Sequence, residues 1–336
     1  MKKIIPIVGT VIFLVLLITG SSYWSDTMKK KNVPEYVFTY AENQSEGYPT
    51  TEAAHYFSDL VYERSEGRIK INIHASGVLG NETAVIEQLR YGGLDFARVS
   101  LMAVADFVPK MGVLQLPYLY QDAEHMWNVL NGEIGQELIE VLEDYGIKGL
   151  SWYDAGTRNL YTIQKIIRLE DLEGKQIRVA KSQLMENLIR SFGATPVFLD
   201  YGEIYSGLEL GVVDGAENNW PSYVSSDHHK VASYVLLDEH NRIPELQLVS
   251  EVIWDKLSKE DQHIIEESAK ESAVYQRKLW EQQEKESREI AEREGVITTE
   301  LSEAEKERFR QATLPINEEY AVGYEELLQR IESYRY

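Results

Sequence analysis

The chain has 336 residues, 43% hydrophobic and 10% aromatic, with a formal net charge of −21 and no cysteine. That length supports two domains with proper cores, and that composition excludes general disorder. Lys2, Lys3, Lys29, Lys30 and Lys31 against Asp26 give the first 31 residues +4 and leave −25 on the remainder. So acidic a body excludes a nucleic-acid partner, which needs a basic stripe, and any anion site on it must rely on local arginines. The missing thiol excludes disulfides, thiol catalysis, cysteine metal sites and a lipoprotein anchor.

Lys2 and Lys3 precede an apolar run from Ile4 to Gly20, the pattern of an export signal. The run is near the lower length of a membrane span, and Gly20-Ser21-Ser22 offers small residues without a clean Ala-x-Ala. Residues 1–34 are therefore expected to be a signal or uncleaved anchor with a tether. The body would sit on the outer face of the cytoplasmic membrane, or be periplasmic or extracellular if the signal is cut.

Residues 36–40 read as a first strand, ending in the polar turn Ala41-Glu42-Asn43, where open α/β sheets place ligands. A helix is expected over 48–65, with Pro49 in its first turn and Gly67 as its stop. Ile69, Ile71 and Ile73 alternate with polar residues as a second strand. Asn81 caps a helix reaching Tyr91, and residues 94–99 form a third strand with Arg98 inside it. This βαβαβ order implies parallel pairing. Residues 114–117 read as a strand entering a crossing loop, and Asp122 as the cap of one helix to about Tyr145. Strands are expected at 147–153 and 159–163, with Arg158 between them. In 174–180, Ile177 and Val179 alternate around Arg178. That guanidinium is either a surface charge or the floor of a cleft, where its planar fork matches a carboxylate. A helix over 184–192, a strand at 195–199, a short helix over 202–210 and strands at 231–237 and 246–250 follow. From Ser258 one helix can run unbroken to Glu294, about 50 Å at 1.5 Å per residue, and brace two domains. Residues 302–336 are helical again.

No Gly-x-Gly-x-x-Gly, P-loop, Gly-x-Ser-x-Gly or His-Glu-x-x-His occurs, so no cofactor or metal is expected. His228-His229 is a poor chelate, because neighbours on a chain diverge.

Several segments carry a family likeness through their order and spacing: Ser65-Glu66-Gly67-Arg68-Ile69, Leu79-Gly80, Leu116-Pro117-Tyr118, Gly156-Thr157-Arg158, Leu172-Glu173-Gly174-Lys175-Gln176-Ile177-Arg178-Val179, Gly193-Ala194-Thr195-Pro196 and Gly211-Val212-Val213-Asp214-Gly215-Ala216-Glu217-Asn218. From about Tyr36 to the C-terminus the chain resembles the extracytoplasmic solute-binding proteins of TRAP (tripartite ATP-independent periplasmic) transporters. The resemblance implies an α/β, two-lobed periplasmic-binding-protein-like fold with mixed sheets, several crossovers between lobes and a long bracing C-terminal helix. Lobe I would hold about 35–155 plus part of 240–336, and lobe II about 156–240 plus the remaining C-terminal segments.

The resemblance puts the carboxylate-binding arginine at Arg178, a second ligand-contacting arginine at Arg158, the asparagine that completes the clamp at Asn218 and an aromatic beside it at Tyr201. Asn43, His240 and Glu245 fall where relatives face the rest of the ligand. Each has a plainer reading: Arg158 as a strand end, Asn218 as a helix cap, Tyr201 as core, His240 as a turn histidine. Arg98 could face the cleft or pair with a carboxylate at the sheet edge. Asp154 to Thr162, Ala216 to Tyr223, and His240 with Pro244-Glu245 look like the sugar-acid binders, particularly those for hexuronates. The implied function is capture of a hexuronate such as glucuronate or galacturonate, as a monomer and not an enzyme, for delivery to TRAP membrane permease subunits. A dicarboxylate, aldonate or keto acid remains open as ligand. So does a sugar-acid enzyme with His240 as its base, or an adhesin or sensor ectodomain.

Overall fold

A computed structural model describes residues 33–335. The expected signal or anchor, residues 1–20, lies outside the described residues. Among the described residues, no helix is long and apolar enough to cross a membrane.

The strands are β1 (Tyr36–Ala41), β2 (Ile69–His74), β3 (Phe96–Ser100), β4 (Ile147–Tyr153), β5 (Thr157–Thr162), β6 (Gln176–Val179), β7 (Thr195–Phe198), β8 (Gly215–Asn218), β9 (Tyr234–Arg242), β10 (Glu245–Ser250) and β11 (Ile297–Glu300). They form two sheets, in the orders β2-β1-β3-β10-β4 and β11-β9-β5-β8-β6-β7. In the first, β1 pairs in parallel with β2 and β3, as the βαβαβ pattern implies. Strand β10 then enters antiparallel between β3 and β4, making the sheet mixed. In the second, β6 lies parallel to β7 and β8, while β5 is antiparallel to both β8 and β9.

The chain crosses between sheets from β4 to β5 and returns from β9 to β10. The long helix, Lys259–Arg293, passes both. Ile265 and Ala269 pack in the core of the first sheet with Phe57 and Phe96, and Ala291 packs in that of the second with Tyr161 and Tyr223. Between them Trp280 meets Tyr48 and Ala155 at the crossover. One rigid element thus ties two cores. Its start is held by Ser258, whose side chain accepts from the Asp261 amide.

Three expected elements differ. Residues 114–117 are not a strand: Leu114 and Gln115 end a 3-10 helix, Pro109–Gln115, with Pro109 at its start, and Leu116 caps it. The single helix after Asp122 is two, Ala123–Asn131 and Glu133–Val141, with a 3-10 turn behind. Gly132 is extended there, and a Cβ on it would sit 2.9 Å from the Asn128 carbonyl oxygen, so the break needs glycine. The last segment splits into Glu303–Ala321 and Glu325–Glu332 at Gly323, whose φ of +84° cannot continue a helix.

Candidate functional site

In both sheets the chemistry collects at the carboxyl edge of the parallel strands, where open α/β sheets place ligands. Glu42 and Asn43 follow β1, Glu82 opens the helix Glu82–Arg90, Arg98 is near the end of β3, and Glu245, which starts β10, pairs with Ser100 at the same edge. On the second sheet, Arg178 is the third residue of β6, Asn218 ends β8, and Leu199 and Tyr201 follow β7. A contact joins the segments after the two edges: the hydroxyl of Tyr48, at the start of the helix Pro49–Arg64, meets Ser222 Oγ of the helix Trp220–Ser225 at 2.8 Å.

The second edge is cationic. Arg178 is buried at 4% exposure, yet its hydrogen-bond acceptor is a neutral backbone oxygen: Leu199 O accepts from Nε at 3.0 Å and Nη2 at 2.8 Å. Among the described residues no carboxylate forms an ion pair with it. Burial pulls its pKa down, Glu217 offsets part of this, and Arg158 adds to the lowering. The geometry matters more than the titration. Leu199 O takes the side of the guanidinium that carries Nε, and the opposite end, with one N–H each on Nη1 and Nη2 in parallel, has the geometry that matches a carboxylate.

Arg158 is chemically identical but differently engaged. Its Nε and Nη2 hold Glu217 in a bidentate pair, Nη2 also donates to Glu217 O at 3.0 Å, and Nη1 donates to Asn218 Oδ1 at 3.0 Å. Glu217 is fully buried; burial would raise its pKa, but Arg158 and His240 outweigh that and hold it well below the usual carboxylate range. His240 is fully buried too, with Nδ1 2.8 Å from Asp238 Oδ2 and Nε2 3.5 Å from Glu217 Oε2. Against burial, which lowers it, Asp238 and Glu217 lift its pKa to about 9, so it is an imidazolium at neutral pH. His240 thus sits between Asp238 and Glu217, and Glu217 in turn holds Arg158.

The first edge is acidic. Arg98, 2% exposed, is enclosed by three carboxylates: a bidentate pair with Glu42, then Glu82 Oε1 and Glu245 Oε1, each 3.2 Å from Nη1. Asn43 Oδ1 also accepts from Nη2. Of the two readings for Arg98, pairing with carboxylates at the sheet edge is what the structure shows. Glu245, 8% exposed, is pushed up to about 7 by burial, relieved by Arg98 and aggravated by Glu42 and Glu82. Its Oε2 is buried with no partner among the described residues.

Tyr201 is half-buried, its hydroxyl 2.8 Å from Ser226 Oγ. Asn218 caps no helix: its Oδ1 takes Arg158 and the Asn219 amide, and the cap of Trp220–Ser225 is Asn219. His228 and His229 go to separate partners, Tyr161 and Glu294, and no three potential metal ligands cluster among the described residues. Sequence reasoning missed Glu42, Glu82 and Glu217. Their one signal was position, at a polar turn after a strand, at a helix start, and beside Asn218. In a chain with 55 acidic residues, type alone could not single them out.

Residues 40–322 match the family described as bacterial extracellular solute-binding protein, family 7 (DctP). A solute-binding protein of Chromohalobacter salexigens is 35% identical over 281 residues, covering 83% of each chain. A TRAP periplasmic solute-binding protein from Pseudomonas putida F1, solved with bound D-glucuronate, is 34% identical with a TM-score of 0.87, covering 89% of this chain and 98% of that one. Another from a Bradyrhizobium species, in complex with D-galacturonate, is 38% identical with a TM-score of 0.85, covering 88% and 99%.

Proposed function

The chain belongs to bacterial extracellular solute-binding protein family 7, the solute-binding proteins of TRAP transporters, and we propose that it captures a hexuronate, glucuronate or galacturonate, outside the cytoplasm and delivers it to TRAP permease subunits. The observation that carries the reading is Arg178: a buried guanidinium whose hydrogen-bond acceptor is a neutral backbone oxygen and which forms no ion pair among the described residues. A buried charge without a partner is costly, and a ligand carboxylate supplies the partner. Asn218 and Tyr201 stand beside it on neighbouring strand ends, and Asn43 and Glu245 face from the other sheet as acceptors for hydroxyl groups. Arg158 and His240 contribute by holding Glu217 and the shape of the clamp. The hexuronates bound in the similar structures from Pseudomonas putida F1 and the Bradyrhizobium species support the same ligand class.

A sugar-acid enzyme would need a base near the α-carbon. His240 does not suit that role, being fully buried and kept protonated between Asp238 and Glu217.

The test is calorimetric titration with hexuronates, aldonates, dicarboxylates, keto acids and sialic acid. A saturable uronate response without turnover is expected. A clear dicarboxylate response with none from any uronate would overturn the hexuronate reading.

A further inference from the structure

A large cavity lies apart from the clamp. Its volume is about 870 Å³, and its walls are the loop 117–122, Thr157 at the start of β5, the ends of β9 and β11, and one face of the helix Glu303–Ala321. Clefts of roughly 300–1,000 Å³ hold small molecules. None of Arg178, Asn218, Tyr201, Asn43 and Glu245 lines it.

Its charge is unusual for this protein. Arg242 at the end of β9, Arg288 on the long helix, Lys306 and Arg310 on the helix Glu303–Ala321, and Arg335 all line it, in a chain of net charge −21. Four carboxylates line it as well. Asp122 is committed to the His125 amide, and Asp238 to the Leu160 amide and His240. Glu239 and Glu300 are left to face five cations. Arg288, Lys306 and Arg335 have partners in Glu292, Glu303 and Glu332, exposed pairs that water weakens. Arg242 and Arg310 form no ion pair among the described residues. Arg310 instead lies over the Tyr118 ring, 5.7 Å from its centre.

Two further observations fall on the same walls. Tyr118 and Glu239, from different segments, have φ of +56° and +46°. Left-handed backbone is uncommon outside glycine and persists only where its surroundings hold it, as they do around ligand sites. The Tyr118 amide donates to His240 O, beside Glu239, at 3.0 Å. Tyr118 Oη, Tyr120 Oη, Asn241 Oδ1 and Asn317 Oδ1 are buried with no partner among the described residues, and all four residues line the cavity. Buried polar groups are nearly always satisfied, so this cluster lacks something.

We propose that this cavity is a second ligand site, which takes a small organic polyanion with two or more carboxylate or phosphate groups and anchors it on Arg242 and Arg310. The arginine fork matches either oxyanion. Two unpaired guanidinium groups on separate segments suit an anion charged at two places, unlike a hexuronate with its single carboxylate. The tyrosine hydroxyls and asparagine amides offer further donors and acceptors. The site does not rest on the hexuronate reading.

The experiment is calorimetric titration of the full chain, at neutral pH and low ionic strength, with citrate, pyrophosphate and sulfate. It is repeated on Arg242→Gln/Arg310→Gln and on Arg178→Met. Citrate or pyrophosphate is expected to bind with a Kd below about 1 mM, more tightly than sulfate. Arg178→Met should bind it within about threefold of the parent, and the double variant at least about tenfold more weakly. Glucuronate affinity should be unchanged in the double variant. Arg310→Gln, at an exposed side chain, gives the same reading if the double variant does not melt as the parent does. Failure of both polyanions to bind, sulfate binding as tightly, binding abolished by Arg178→Met, or binding untouched by the arginine variants would each overturn the second site. Glucuronate, titrated separately, decides the hexuronate reading.

Discussion

Replacing Arg178 separates binding from folding. Two of its five N–H groups are held by Leu199 O, and the parallel pair at the far end is what a carboxylate would meet. Each charge-assisted hydrogen bond contributes about 1.5–3 kcal/mol. Arg178→Lys keeps the charge but loses the fork, so affinity should fall by one bond, or about 10- to 150-fold at 1.4 kcal/mol per tenfold. Arg178→Met removes both, a loss of about 3–6 kcal/mol, or roughly 10²- to 10⁴-fold. Folding should respond much less. The variant leaves Leu199 O without its donors, but it also removes a buried cation that lacks an anionic partner, and these effects oppose. Calorimetry with glucuronate beside a melting curve reads both quantities. A natively melting Arg178→Met variant that binds within fivefold of the parent would refute the clamp.

Arg158→Met should do the reverse, because it strands buried Glu217; breaking such a pair costs about 3–5 kcal/mol. A urea midpoint unchanged from the parent would contradict the bracing role. Gly156→Ala, at the crossover into β5, should destabilise by at least about 1–2 kcal/mol. Its φ is +60° and its new Cβ would lie 2.5 Å from Glu284 Oε1 and 2.8 Å from Trp280 Nε1; thermal melting checks this. Glu245 is raised from 4.5 to about 7 in the fold, so the stability it contributes is complete below about pH 4.5 and is lost as pH rises through about 7. The ligand-free Glu245→Gln variant should therefore gain on the parent across that window, on the order of 3 kcal/mol. A stability difference that stays constant from pH 4.5 to 8 would argue against the raised pKa of this buried carboxyl.

Much of the fold follows from local rules that a linear chain displays. Asn81, Asp122 and Ser258 start helices because their side-chain oxygens accept amides within the first turn, and each does so in the structure. The isoleucine alternation at 69, 71 and 73 marks β2 because its period is that of a strand, and the unbroken pattern after Ser258 marks the long brace. Where local rules compete with contacts remote in sequence they fail. Gly132 reads as a tolerable helix residue until Asn128 O and the Tyr334 ring crowd it.

The site divides along the same line. The chain itself determined which groups are available: arginines on strands that must end somewhere, an acidic body with no thiol, and polar turns after strands. Only the tertiary structure decided their partners, because an ion pair forms between residues that lie close in space at 59, 56 or 147 positions' separation, a distance no local pattern encodes. Arg158 and Arg178 look equivalent in sequence. Glu217 encloses the first with a carboxylate, whereas a neutral backbone carbonyl is the acceptor of the second.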